Sequence, residues 1–323
     1  MSLVAPGVHA AVVVVLAVAL DLLLGDPPNR MHPVAWCGRV LAAGRARLCH
    51  GGRARLLLGG AALTVGVMLV AGGAGALVAA LAAALGPAGL VLEAVALKCT
   101  ISPRGLVRAA RSVARALVSG DLDAARASLG WHLVSRPTAT LDAGQVASGA
   151  IESVAENLTD ALVAPVVFFL VFGLPGALAY RALNTADTML GYRDGALEYF
   201  GKVAARLDDV ANLVPARLAA LAIVMTAGPT SPSAWVAMAR DHARTASPNA
   251  GWTMAAMAGA LGVTLQKPAA YQLGRGRMPV PADIERSIVL ASRAAVLAIL
   301  GLIAVVILLE KSRDPGILAS LSS

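Results

Sequence analysis

Charge is scarce in this chain. Asp, Glu, Lys and Arg make up 14% of its 323 residues, and Phe, Trp and Tyr only 4%. An ordinary soluble domain carries about 25% charged and 45–50% apolar residues. Here the apolar share is 58% and the mean hydropathy +0.72. That balance excludes a typical water-soluble domain, and the long Ala-, Val- and Leu-rich runs indicate an integral membrane protein. Nucleic acid is a poor reading for a partner, because the basic residues are scattered and no aromatic-basic platform appears. Cys37, Cys49 and Cys99 are odd in number and lack metal or redox spacing, so they read as reduced thiols used as small hydrophobes. The five histidines are far apart, which argues against zinc. No Ser or Cys nucleophile arrangement is evident. Gly195–Val203 looks like a phosphate loop but is one residue too long and lacks Ser or Thr after Lys202. The N-terminal apolar run has no basic segment before it and reads as an anchor helix.

What is present is a net charge of +8, suited to anionic lipids and ligands, and a succession of apolar runs. The pattern predicts an all-α, polytopic membrane protein forming a single membrane-embedded domain over 1–323. Spans are expected at about 8–24, 56–71, 74–97, 213–228 and 288–309. Gly25-Asp26-Pro27-Pro28 ends the first, with Asp21 at its edge reaching the headgroup region or a site. The second and third form a hairpin around Gly72-Gly73. Arg30, Arg39, Arg45, Arg47, Arg53 and Arg55 crowd the first loop, which the positive-inside rule makes cytoplasmic. Segments 98–160, 181–212 and part of 229–286 are expected to be cytoplasmic and catalytic. Ala161–Tyr180 is broken at Gly173-Leu174-Pro175-Gly176, which suits a re-entrant or interfacial hairpin. The soft apolar centre 252–265 leaves the topology open. Either it crosses back or one of 213–228 and 252–265 is only partly inserted.

Arg104, Arg108, Arg111 and Arg115 make a basic helical stripe, either solvated or facing a membrane surface or anionic substrate. Asp121 can cap the next short helix, and Asp142 with Gln145 forms a capping-box start for another. That last helix carries Glu152, Glu156 and Asp160, four residues apart. At about 100° per residue they share one side within about 80°, opposite Ala147, Ile151, Val154 and Leu158. Like charges at this spacing cost roughly 0.2–0.5 kcal/mol per pair. The acids are therefore either solvated or neutralised, and a divalent cation is the simplest candidate.

Three further polar islands follow. Arg181, Asn184, Thr185, Asp187 and Thr188 share about 160° of one helix. Arg206, Asp208, Asp209, Asn212 and Arg217 form the next, and Ser247-Pro248-Asn249-Ala250-Gly251 the last. Rich in Glu, Asp, Asn and Arg, these islands suit Mg²⁺ bound by oxygen ligands and phosphate held by Arg. Plainer readings stand beside these: intrahelical ion pairing for Arg206 and Asp209, backbone satisfaction for Asn184 and Asn212, and interface snorkelling for Arg181 and Arg193.

These blocks together resemble the adenosylcobinamide-phosphate synthase family of cobalamin biosynthesis, the CobD/CbiB family. The resemblance is carried by Asp21 with Gly25-Asp26-Pro27 and His32-Pro33-Val34, Thr100-Ile101-Ser102 with Gly105-Leu106, and above all Ile151–Asp160 and Tyr180–Tyr192. Ala205–Asp209, Asn212, Pro215-Ala216-Arg217 and Ser247–Gly251 add to it. It departs at Ser135-Arg136-Pro137-Thr138, where the family usually reads Gly-Arg-Asp-Thr, and Pro137 is left out of the site. The resemblance implies an ATP-dependent carbon–nitrogen ligase that joins an amino-alcohol phosphate to adenosylcobyric acid, with Mg²⁺ as cofactor and ATP as co-substrate. Under it Glu152, Glu156 and Asp160 are expected to bind Mg²⁺, with Glu152 and Glu156 also catalytic. Arg181, Arg193 and Arg206 would hold phosphates, and Asp187 or Asp208 would take the ammonium proton or complete the metal shell. Asn157, Asn184, Asn212 and Asn249 join the substrate-binding set. The expected setting is the cell membrane, multi-pass, with lipid around it and the active side cytoplasmic, because ATP is there. A second copy or other corrinoid-pathway membrane enzymes are the expected protein partners. The alternative is a transporter of a corrinoid or amino-alcohol phosphate, since broken apolar segments and edge carboxylates are transporter-like. A lipid phosphotransferase of the CDP-alcohol type is excluded, because Asp208-Asp209 is followed by Val-Ala-Asn. A non-catalytic scaffold is disfavoured by the density of acids and arginines.

Overall fold

The computed structural model describes residues 6–312, and helices fill most of them. α1 (Pro6–Leu24) ends where Gly25 turns to φ +70° and Pro27-Pro28 cannot continue the ladder. α2 (Pro33–Leu48) is capped by His32, whose Nδ1 accepts the Val34 N–H at 3.2 Å. The arginine-rich stretch expected to be a loop is largely this helix, which carries Arg39, Arg45 and Arg47. α3 (Arg53–Ala84) runs unbroken for 32 residues through Gly72-Gly73, where a turn was expected. A mid-helix glycine costs only about 1 kcal/mol, too little to stop so long an apolar helix. The reversal falls instead at Gly86-Pro87-Ala88, and the ten-residue α4 (Gly89–Lys98) returns against α3 and α1. The expected span 74–97 is thus the second half of one helix plus a short one.

α5 (Pro103–Val118) buries Ala110, Val113 and Ala114 towards its neighbours and leaves Arg108, Arg111 and Arg115 exposed. α6 (Leu122–His132) is capped by Asp121, which accepts the Ala124 N–H at 2.9 Å. α7 (Ala143–Leu158) starts with the expected capping box of Asp142 and Gln145. A π-turn at Thr159–Val163 leads into α8 (Ala164–Leu190). Inside α8, Gly173 adopts φ +66°, ψ −163°, a conformation that only glycine takes readily, followed by Pro175. The Phe168 and Tyr180 rings stack at 4.8 Å, whereas twelve residues of straight helix would separate them by about 18 Å. The chain reverses there, giving the hairpin that the break at 173–176 predicts.

α9 (Leu197–Phe200) and α10 (Lys202–Ala211) are followed by α11 (Leu213–Thr226), α12 (Ser231–Asp241) and α13 (Ala250–Leu261). β1 (Leu265–Lys267) and β2 (Tyr271–Leu273) pair antiparallel, Lys267 opposite Tyr271, an exception to the otherwise helical fold. α14 (Pro281–Ser312) begins two turns before the expected run.

The chain packs as two compact units, residues 6–101, 165–208 and 299–312 in one, and 102–164 and 209–298 in the other. The first has a core of Leu41, Leu56, Val67, Ala182, Ala186, Leu190 and Phe200. A methyl on Gly60 would overlap the Phe200 carbonyl, so α3 meets the α9 turn at backbone distance. The second unit centres on α7 and α13. α13 is buried along nearly its whole length against α7, α11 and α12. The apolar centre 252–265 is therefore a twelve-residue core helix and the start of a strand, and it is not among the helices long enough to span. α11, expected to span at 213–228, is 14 residues long, about 21 Å, and buries Ala216, Ala219, Ala220 and Ile223 against the same bundle.

Among the described residues four helical stretches are long and apolar enough to cross a membrane: Pro6–Leu24, Arg53–Ala84, Ala143–Leu190 and Pro281–Ser312. The third is continuous only if the Gly173 reversal is ignored. A fifth would need α10 and α11, bent by 50°, to act as one. The chain is thus an all-α polytopic protein with four or five helices of membrane-spanning character.

Candidate active site

α7 is buried on every residue from Val146 to Ala155, which takes Glu152 off any wet face, while Glu156 and Asp160 are half-buried. Glu152 is only 4% exposed. A buried carboxylate persists only where its charge is paired and its lone pairs are taken. Ser148, one turn earlier, donates to Glu152 Oε1 at 2.8 Å. The Tyr271 hydroxyl donates to Oε2 at 2.9 Å, and Arg136 Nη2 to the same oxygen at 3.2 Å. Burial, then the adjacent Glu152 carboxylate, push the Tyr271 phenol well above its ordinary value, so it stays protonated and donates. Ser148 also accepts the Gln266 N–H at 2.7 Å, fastening β1 to α7. Asn157 donates to the Ser153 carbonyl and hydroxyl at 3.0 and 3.1 Å. Ser153 donates to the Leu133 carbonyl at 3.1 Å, which holds the 133–136 loop in place.

Leu133, Val134, Ser135, Arg136, Glu152, Ser153, Glu156, Lys267 and Tyr271 line one polar cavity of about 240 Å³. Of the three acids expected to act together, Glu152 and Glu156 face it and Asp160 is not in its lining. Asp160 lies in the π-turn, whose wider winding breaks the i, i+4 register. Asn157 also falls outside this lining and borders an apolar groove with Leu106, Val154 and Ile288.

Elsewhere in the same unit, Asn249 uses both ends of its amide. It accepts from Arg217 Nη1 at 2.6 Å and donates to the Asp209 carbonyl at 2.6 Å. Arg217 also lies over the Trp252 ring, 4.7 Å from its centroid. Asn212 is buried just before α11. Asp241 is buried at the end of α12. Arg240 Nη2 donates to it at 2.6 Å and Arg244 pairs with it at 3.1 Å. It accepts the Gly274 N–H at 2.9 Å, which anchors the end of β2.

In the other unit, Arg181 Nη1 donates to Asn184 Oδ1 at 3.3 Å, and Asn184 Nδ2 donates to Asp208 Oδ1 at 3.3 Å. Arg181 Nε is buried without a hydrogen-bond partner. Asp187 is half-buried on α8, while Arg193 and Arg206 are exposed. Asp21 is fully buried within the protein. Lys98 Nζ stands 3.7 Å from it and donates to Asp26 at 2.9 Å, with His32 Nε2 3.5 Å from Asp26. Lys98, Arg136, Lys267 and Tyr271 were not singled out from sequence. Arg136 lies in the block that departs from the family pattern, but nothing local marks Lys267 or Tyr271.

Mg²⁺ asks for six oxygens and is commonly held by one or two carboxylates plus water and substrate phosphates. Among the described residues no three Asp, Glu, His or Cys side chains gather as a metal cage. The three-carboxylate cage expected from Glu152, Glu156 and Asp160 is not assembled, because Arg136, Ser148 and Tyr271 take up Glu152 and the π-turn carries Asp160 away. A single half-buried carboxylate such as Glu156 or Asp187 meets only the lesser demand of a phosphate-bound Mg²⁺.

Residues 14–299 match the family model described as CobD/Cbib protein. The chain belongs to the CobD/CbiB family. The cobalamin biosynthesis protein CobD of Dehalococcoides mccartyi is 41% identical over 290 residues, covering 88% of this chain and 94% of its own. The probable cobalamin biosynthesis protein CobD of Methanothermobacter thermautotrophicus is 41% identical, covering 81% and 86%. The cobalamin biosynthesis protein CbiB of Salmonella paratyphi B is 38% identical, covering 84% and 87%. No solved structure matches. The CobD/CbiB match takes in the Glu152 cavity, the Arg181–Asn184–Asp208 chain and Asp21 with Lys98.

Proposed function

We propose that this CobD/CbiB protein is an ATP-dependent carbon–nitrogen ligase. It joins the amine of an amino-alcohol phosphate, of the 1-aminopropan-2-yl phosphate type, to a carboxylate of adenosylcobyric acid, giving adenosylcobinamide phosphate. The observation that carries the reading is the cavity in which Glu152, held by Arg136, Ser148 and Tyr271, stands beside Glu156 and Lys267. It places acids and cations together in a protein whose relatives are named for cobalamin biosynthesis.

A carboxylate is a poor electrophile. Transfer of the γ-phosphoryl group of ATP to its oxygen releases ADP and gives an acyl phosphate. The amine then attacks the carbonyl carbon, the C–O bond to phosphate breaks, and inorganic phosphate leaves with the oxygen. The ammonium must lose a proton for this attack, and a pocket carboxylate is suited to accept it. Mg²⁺, when bound with phosphate oxygens and Asp187 or Asp208, would neutralise charge on the transferring group. Arg181, with its unpartnered buried Nε, is suited to a phosphate oxygen, and exposed Arg193 and Arg206 add to that set. Because ATP is cytoplasmic, these groups face the cytoplasm, and the Gly173 reversal makes a re-entrant hairpin rather than a crossing.

The test is incubation of the purified protein with adenosylcobyric acid, ATP, Mg²⁺ and aminopropanol phosphate, with mass spectrometry of the corrinoid. ATP-dependent appearance of the amide is expected. Accumulation of substrate inside proteoliposomes with no covalent product would instead mark a transporter.

A further inference from the structure

The cavity at Glu152 has a definite size and both signs of charge. At about 240 Å³ it lies below the usual 300–1,000 Å³ of a drug-sized ligand pocket, so neither a corrinoid nor a whole nucleotide fits inside. Its charged lining is two acids, Glu152 and Glu156, and two cations, Arg136 and Lys267. That balance is wrong for a triphosphate, which needs an excess of cations, and right for a small zwitterion. The four side chains are not equivalent. Both oxygens of Glu152 are engaged by the protein, so it sets the wall rather than reaching a ligand. The Lys267 ammonium has no hydrogen-bond or ion-pair partner among the described residues, and Arg136 Nε is buried without one. Glu156 is the second acid of the lining. The wall is also preorganised: Ser148 fastens β1, Asp241 fastens the end of β2, and Ser153 fastens the 133–136 loop.

We propose that this cavity is the subsite for a small ammonium–phosphate zwitterion, with Lys267 and Arg136 on the phosphate and Glu156 on the ammonium. Glu152 and Tyr271 are positioning residues. The inference rests on the ligase reading in identifying the zwitterion as the amino-alcohol phosphate co-substrate. A phospholipid headgroup bearing a primary amine shares this chemistry, so the test separates the two sources.

Full-length protein in phosphatidylcholine nanodiscs is titrated with O-phosphoethanolamine, ethanolamine and ethyl phosphate. Phosphoethanolamine is expected to bind at least about tenfold more tightly than either half-molecule. Lys267→Gln should weaken phosphoethanolamine and ethyl phosphate by about tenfold and leave ethanolamine unchanged, with Lys267→Arg restoring most of the loss. Glu156→Gln should do the reverse, weakening the two amines and sparing ethyl phosphate. Unchanged binding in both variants, or no preference for the zwitterion, overturns the subsite. So does competition by phosphatidylethanolamine added to the nanodiscs, which would assign the cavity to lipid. Under turnover, Lys267→Gln should raise KM for the amino-alcohol phosphate about tenfold while leaving KM for ATP and adenosylcobyric acid unaltered. Product formed with an unaltered KM overturns the subsite and leaves the ligase standing. Selective zwitterion binding with no product under any condition overturns the ligase reading and leaves the binding site standing.

Discussion

Asp21 and Glu152 are both buried carboxylates, but they are held in different ways. Asp21 sits in α1, a helix of membrane-spanning character, with Lys98 at 3.7 Å, and Lys98 is closer to Asp26 than to Asp21. Glu152 is met by a hydroxyl from its own helix, a guanidinium from the 133–136 loop and a phenol from the hairpin, at 2.8 to 3.2 Å. The first arrangement ties helix ends within one unit. The second gathers three chain segments around one carboxylate at the wall of a cavity. A charge that only holds helices together can be removed along with its partner. A charge that shapes a pocket cannot, and under the proposed function this difference separates a stability site from one that shapes the pocket.

The largest effect expected is at Glu152. Glu152→Ala removes the acceptor for three donors and leaves Arg136 in the cavity wall without its acid, so ATP-dependent amide formation should fall by a factor of about a hundred or more. Glu156→Ala should do the same while the protein still inserts. Retention of full activity in both variants, by mass spectrometry of the corrinoid, would remove the acidic helix from the site. Lys98→Met comes next, and its signature is stability. It leaves Asp21 and Asp26 without their shared cation, at a cost of about 3–5 kcal/mol seen as a lower unfolding temperature in detergent. The double variant with Asp21→Asn should recover part of that loss, as a coupled pair does. If instead the double variant is stable and inactive, Asp21 is a site residue like Glu152 and the contrast between them fails.

Much of this was legible beforehand, and the reasons for the rest are physical. The apolar runs mark α1 and α14 plainly, and Asp121, Asp142 with Gln145, and the Gly173 break announce two helix starts and a reversal. Gly72-Gly73 misled because two glycines without proline or polar neighbours weaken a helix without ending it. Residues 252–265 stayed open because hydropathy does not distinguish a helix buried in protein from one facing lipid, and α13 is the former. The acid spacing pointed to α7 but not to what neutralises Glu152. Arg136 and Tyr271 are 16 and 119 residues away from it, and no periodicity connects positions that only folding brings together. Asp160 was grouped with the other acids on an α-helical wheel that the π-turn does not follow.

Tyr271→Phe is expected to have a smaller effect than either charge variant. Glu152 keeps Ser148 and Arg136 but loses its phenol donor. A hydrogen bond to a charged group contributes about 1.5–3 kcal/mol, so kcat/KM should drop by about tenfold or somewhat more. Stability should change little, because the ring remains to pack. A drop in unfolding temperature as large as that of Lys98→Met would place Glu152 with Asp21 as a structural acid.

Asp241 supplies the mildest case, a third buried carboxylate that acts on the pocket only through the hairpin. The Arg240 hydrogen bonds hold its carboxyl below the usual range, with the Gly274 N–H adding to that against the opposing effect of burial. A depressed folded-state value means the charge stabilises the fold above the unfolded value, near pH 4, and that this contribution is lost as pH falls through the folded one. Asp241→Asn still offers an oxygen to Gly274 but surrenders the pairing with Arg240 and Arg244. At about pH 7 it should unfold a few degrees lower and raise KM for the amino-alcohol phosphate by about two- to threefold, because β2 carries Tyr271. At about pH 3 the carboxyl is largely protonated in the unfolded chain, so the contribution of the folded-state charge shrinks and the difference in unfolding temperature should narrow. A gap of the same size at both pH values would mean that Asp241 contributes shape rather than charge. The hairpin would then be held independently of its acid, as the wall around Glu152 is not.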